Sequence, residues 1–118
     1  MTVESQRIAI AEACGWTEIL RPCDEAYHDL PTDTLGLVMG RVCGIRPGGI
    51  HIENAAPLPD YLSDLNAMHE AEKVLDYNQL REMEDSVSFQ FAVYPFHATA
   101  NQRAEAFLRT IGKWEITK

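Results

Sequence analysis

Three cysteines in 118 residues, Cys14, Cys23 and Cys43, include no close pair, and their odd number cannot complete a disulfide framework. No apolar run follows a basic start, so secretion is not expected and the thiols are read as reduced, in cytoplasm. Long apolar runs are missing as well. The longest uncharged apolar stretch, Leu35 to Gly40, suits a strand and falls far short of a membrane span. Positive charge is scarce: 10 Lys and Arg stand against 18 Asp and Glu, a formal net charge of −8. That balance opposes attraction to phosphate backbones and anionic lipid, which disfavours direct nucleic-acid or membrane binding and leaves a basic protein as a compatible partner.

Catalytic grammar is sparse too. The Gly36, Gly40 and Gly44 series is not followed by Gly-Lys-Ser/Thr, so it is no phosphate loop. His69-Glu70 opens like a zinc-protease helix, but such a site needs a second His four residues on, and Lys73 stands there. Cys14, Cys23, His28 and Cys43 lack the close Cys pair of a readable zinc site. Asp60 and Asp64 lie one turn apart at a helix start, where capping and dipole complementarity explain them; the sharper alternative is a divalent ion held by both carboxylates with Asn66 or Glu53. His69 reads as a partly exposed helix residue with Glu72 near enough to pair.

What the chain does have is two well-formed helix signals. In the segment starting near Asp60, Leu62, Leu65, Met68, Ala71 and Leu75 recur at helical spacing, with Glu70 and Lys73 on the solvent side. At the C-terminal end, Thr99 and Gln102 form a capping box, Ala100, Ala104, Phe107, Leu108 and Ile111 make an apolar stripe, and Gly112 provides a stop. A first helix is expected from about Val3 to Cys14, capped by Thr2 and closed by Gly15. A short helix is expected over Tyr77 to Glu84.

Strands are expected where side chains alternate. Leu35 to Ile45 sends Leu35, Leu37, Met39, Cys43 and Ile45 one way and three glycines with Val38 and Val42 the other. Arg46-Pro47-Gly48-Gly49 supplies a turn, and Ile50 to Asn54 returns as a second strand of a hairpin. Ser86 to Tyr94 alternates most cleanly, with Val87, Phe89, Phe91 and Val93 on one face. Thr17 to Thr34 is irregular, with a short strand at Glu18 to Arg21. Strands and helices come unequally, without regular βα alternation. The expectation is one α+β domain over residues 1–118: an antiparallel sheet of three to four strands with helices packed on it, an α-β-α sandwich.

Leu58-Pro59-Asp60-Tyr61, Asp64-Leu65-Asn66-Ala67-Met68-His69-Glu70 and Ala98-Thr99-Ala100-x-Gln102-Arg103-Ala104-Glu105-Ala106-Phe107-Leu108 resemble stretches of the phage ABA-sandwich domain family, and Cys14-Gly15-Trp16 after the first helix fits as well. The resemblance spans most of the chain in order through three short stretches. It implies a bacteriophage or prophage accessory protein working in bacterial cytoplasm, with a sheet between helical layers and no catalytic residues to carry over. It also implies either a binding edge around Asp60, Tyr61, Asp64, Asn66 and Met68 or the packing and capping described above. With Trp16 as an amphipathic aromatic suited to interfaces, the candidate binding residues are Trp16, Asp60, Tyr61, Asp64, Asn66 and His69. None is assigned a catalytic or metal role, and no cofactor is called for. The functional expectation is a non-enzymatic protein that binds a host or phage macromolecule. Two alternatives stay open: an acidic inhibitor of a host defence or nucleic-acid enzyme, and a small metal-dependent enzyme using Asp60, Asp64 and His69. Self-association into a homodimer, through the hairpin edge or through helix packing, is also compatible.

Overall fold

The structure is a computed structural model that describes residues 1–49 and 55–115, apart from the Phe96 side chain. It is an α+β protein with a three-stranded antiparallel sheet in the order β1-β2-β3. The elements are α1 (Val3–Ala13), β1 (Thr17–Leu20), α2 (Glu25–His28), α3 (Thr32–Val38), β2 (Cys43–Ile45), β3 (Ala56–Pro57), α4 (Leu65–Glu72), α5 (Tyr77–Phe91) and α6 (Ala100–Thr110), with a 3-10 turn at Pro95–His97. Two compact units share them: one comprises Met1–Ile10 and Pro59–Lys118, the other Ala11–Leu58. Among the described residues no helix is long and apolar enough to cross a membrane.

All three strands belong to the unit Ala11–Leu58. Gly15 closes α1 at φ +97, a left-handed value that glycine adopts without steric cost, and β1 follows at once. β1 pairs with β2 through Thr17 opposite Ile45 and Leu20 opposite Cys43, a register that slips by one residue between the two pairs. Glu18, at φ 50, sits inside that slip, where an extra residue in one strand forces a local left-handed turn. Gly44 lets β1 come close: a Cβ there would lie 3.1 Å from both the Ile19 side chain and the Thr17 carbonyl. β2 then pairs with β3 through Cys43 opposite Pro57 and Gly44 opposite Ala56. The turn at Arg46 to Gly49 forms as its residues dictate, with Gly48 at φ +84 and the Gly49 N–H donating to the Arg46 carbonyl at 2.9 Å. The expected strand Ile50 to Asn54 lies outside the described residues. Tyr27, Leu30, Val38, Cys43 and Ala55 form this unit's core, with Leu20 and Leu35 against it.

One expected strand, Leu35 to Ile45, is helix in its first part, turn in its middle and strand only at its end. Leu35 to Val38 belongs to α3, and only Cys43–Ile45 is extended. The alternation of Leu35, Leu37 and Met39 misled because the pair that matters is Thr34 and Val38, four apart and both buried. Met39 ends the helix in the left-handed region at φ 51, and Gly40 continues the turn at φ +74.

The other unit is helical. α5 packs along α6, and α4 packs on α6 as well. Met68, Met83, Val87, Phe107 and Leu108 are fully buried within it. Here a second expected strand is also helix: Ser86 to Phe91 is the last part of α5. Asp76 and Gln79 form a reciprocal capping box that starts α5, with the Gln79 N–H donating to Asp76 Oδ1 at 2.8 Å and the Asp76 N–H to Gln79 Oε1 at 3.0 Å. Met83 and Val87, four residues apart, then carry the buried face through the segment. Ala92 closes α5 in the left-handed region at φ 54. The expected capping box of α6 is present, with the Gln102 N–H donating to Thr99 Oγ1 at 3.1 Å, and Gly112 ends the helix at φ +74.

Candidate interaction site

The sequence points to the segment entering α4. Residues 61–63 are a turn, not the first turn of a helix, and α4 starts at Leu65. The cap is therefore Asp64: its Oδ1 accepts from the Asn66 N–H at 2.9 Å and from the Ala67 N–H at 3.3 Å. Asp60 contributes its backbone carbonyl, which accepts from the N–H groups of Ser63 and Asp64, and its side chain is exposed. Capping shifts from Asp60 to Asp64 because only the latter has extended backbone geometry directly before the helical residues.

The other candidates divide by burial. Tyr61 is buried at 3% exposure and so is a packing residue. Asn66 and His69 are exposed on α4. Trp16 is buried and belongs to the other unit, its backbone N–H donating to the Ala11 carbonyl at 3.0 Å. Asp60, Asp64, Asn66 and His69 are thus exposed along a segment whose Tyr61, Leu62 and Met68 are buried. Asp64 already spends its carboxylate on backbone amides. No group of three His, Cys, Asp or Glu side chains that could hold a metal occurs among the described residues.

The strongest electrostatic feature of this unit was not among the candidates. Arg103 of α6 and Glu72 of α4 are both buried and meet in a bidentate pair, Nε to Oε2 at 2.8 Å and Nη2 to Oε1. Arg103 Nη1 also donates to the Pro95 carbonyl at 2.7 Å. One guanidinium therefore ties α4, α6 and the turn after α5 together, and its planar fork suits all three bonds. The hydrogen bond to Glu72 pushes the Arg103 pKa above its usual range against the lowering effect of burial, with the charges of Glu72 and Glu84 adding to the rise. His69 Nδ1 lies 3.7 Å from Glu72 Oε1 at the exposed edge of this pair, the partnership expected from the sequence. Arg103 had a readable signal: it lies three residues after Ala100 and four before Phe107, inside the apolar stripe of α6. A charge in that position has to find a partner.

In the unit Ala11–Leu58 burial perturbs Tyr27 and Cys43. Burial raises the Tyr27 pKa first and Cys43 adds to the rise, while the Gly40 backbone and Arg41 pull the other way; burial alone raises the Cys43 thiol. Both stay protonated at neutral pH, so Cys43 is a packing residue and not a nucleophile.

The surface feature that stands out is aromatic. Phe89 is 92% exposed, Tyr77 77% and Tyr94 71%. Comparison with family models, curated proteins and solved structures finds no match to this chain. The geometry of α5 itself explains Phe89: at 100° per residue, Asn78, Glu82, Asp85 and Phe89 lie within about 60° of arc, opposite the side that buries Met83 and Val87. All four are exposed. Glu82 and Asp85 have no ion-pair partner among the described residues. Sequence reasoning missed this face because Phe89 was counted with Val87 on the buried side of a strand.

Proposed function

We propose that this chain is a small, non-enzymatic phage or prophage accessory protein that binds a host or phage macromolecule in the bacterial cytoplasm. The observation that carries the binding half of this reading is Phe89, left 92% exposed on a helix whose opposite side is buried. A large aromatic held out in water by a rigid helix gains most when a partner covers it, and such residues anchor protein interfaces. Tyr94, just past the end of α5, extends the same aromatic region along the chain. The polar residues of the signature segments support the reading from the other side. Asp64 and Thr99 cap helices and Arg103 pairs with Glu72, so their chemistry builds the fold. The phage half is supported by the likeness of the segments around Asp60 to Glu70 and Ala98 to Leu108.

A second reading, an acidic inhibitor that occupies a basic groove of a host defence or nucleic-acid enzyme, is favoured by the exposed carboxylates Glu82 and Asp85, which have no ion-pair partner among the described residues, and by the net charge of −8. Affinity capture from infected host lysate tests binding directly. One species retained in stoichiometric amount, and not retained by an unrelated domain of equal size and charge, is the expected result. Retention no different from that control contradicts the reading.

A further inference from the structure

The outward face of α5 combines two features that rarely serve packing: an aromatic aimed away from the helix's own core, and two carboxylates beside it with no ion-pair partner among the described residues. Asp85 lies four residues before Phe89 and Glu82 seven before, so a partner that covers the ring also meets both charges. The only cation near the stripe on α5 is Arg81, at its flank, so the face is net acidic. Charge complementarity selects the occupant. A second copy presents the same carboxylates and the same net −8, so two such faces repel. Nucleic acid and anionic lipid surfaces are repelled for the same reason. What fits is cationic and holds an apolar recess.

We propose that the outward face of α5 docks on a basic protein surface containing an apolar pocket, with Phe89 filling the pocket and Glu82 and Asp85 meeting lysines or arginines at its rim. This rests on the reading of the chain as a binding protein and adds to it the surface used and the chemistry of the partner. The pocket supplies affinity through burial of the ring, and the rim charges supply encounter rate and selectivity. The arrangement is a helix presented to a groove, with the apolar anchor at one end.

The test uses the full chain and two synthetic probes, a helical peptide of lysine and leucine and its lysine and serine counterpart. Amide shifts on the isotope-labelled chain locate binding, and peptide anisotropy measures affinity. The lysine and leucine peptide is expected to perturb residues 77–94 and to bind roughly tenfold more tightly than the serine peptide. Phe89→Ser should weaken it by about tenfold, and Phe89→Trp should retain it. Glu82→Lys with Asp85→Lys should also weaken it by about tenfold, whereas Glu4→Lys with Glu12→Lys, the same charge change on exposed α1 positions, should cost less than about threefold. All five substituted positions are exposed, so unchanged thermal midpoints are expected to accompany these results.

Equal losses from the α1 and α5 charge reversals would overturn the proposal, because the attraction would then belong to the whole molecule. So would an unaltered affinity in Phe89→Ser, perturbation centred elsewhere, or a dimer in light scattering that Phe89→Ser abolishes. If lysate capture succeeds while the α5 variants bind the peptide normally, the face is wrongly assigned and the binding reading stands. If the α5 results hold while capture fails, the reverse applies.

Discussion

Glu72 and Arg103 show what single residues contribute to this fold. Each is buried, so each alone would be a charge without solvent, and the bidentate contact with its added bond to the Pro95 carbonyl is what makes the site tolerable. Glu72→Ala is expected to destabilise the chain by about 3–5 kcal/mol, since it strands the guanidinium. Replacing both residues by methionine is expected to cost clearly less than that single change, because no buried charge remains. Urea unfolding of the three proteins checks the order. Capping gives a second contrast at this scale. Asp64→Ala removes the acceptor for two amides and should cost about 1 kcal/mol, whereas Asp60→Ala should stay within about 0.5 kcal/mol. Equal effects at both positions would mean that α4 begins earlier than Leu65.

Among the elements, α6 was the most legible from sequence, because cap, stripe and stop all point to one answer over Thr99 to Gly112. The Arg46 to Gly49 turn was legible for the same reason: proline and glycine restrict the backbone locally, whatever lies around them. α5 was half legible. Its start was visible at Tyr77, but Val87, Phe89, Phe91 and Val93 also satisfy a period of two, and neighbours alone do not decide between the periods. What decides is the capping box at Asp76 and Gln79 together with the packing of α5 on α6 and the burial of Met83 and Val87. The cost of that choice is Phe89, which the strand reading places inside and the helix leaves in water. α3 repeats the lesson with Thr34 and Val38. The candidate site was legible as a segment but not in its roles, since burial of Tyr61 and the shift of the cap to Asp64 both depend on where α4 begins. α5 also carries a correctable defect. Ala92 occupies a left-handed position at φ 54, where a Cβ is unfavourable and glycine is usual. Ala92→Gly is expected to stabilise the chain by about 0.5–1 kcal/mol, seen as a raised thermal midpoint.

For the molecule as a whole, pH and partner are the two external variables that the account constrains. Tyr27 and Cys43 are both buried with raised pKa values, so the folded state holds their protons more tightly than the unfolded chain does. Their contribution is complete below the ordinary thiol and phenol range and is lost as pH rises through and beyond it, above about pH 9. The urea midpoint should therefore fall between pH 8 and pH 10.5, by more than in Cys43→Ala compared over the same two conditions. On the proposed reading, the net charge of −8 favours a basic partner and the outward face of α5 is where that partner would dock. The measurement that tests this most directly is capture from infected host lysate by three forms side by side: the native chain, Phe89→Ser, and a variant with Asp60→Ala, Asn66→Ala and His69→Ala together. The account predicts that the native and triple-substituted chains retain the same species in equal amount and that Phe89→Ser releases it. Retention by Phe89→Ser with loss in the triple variant would contradict it and place the binding edge at the start of α4.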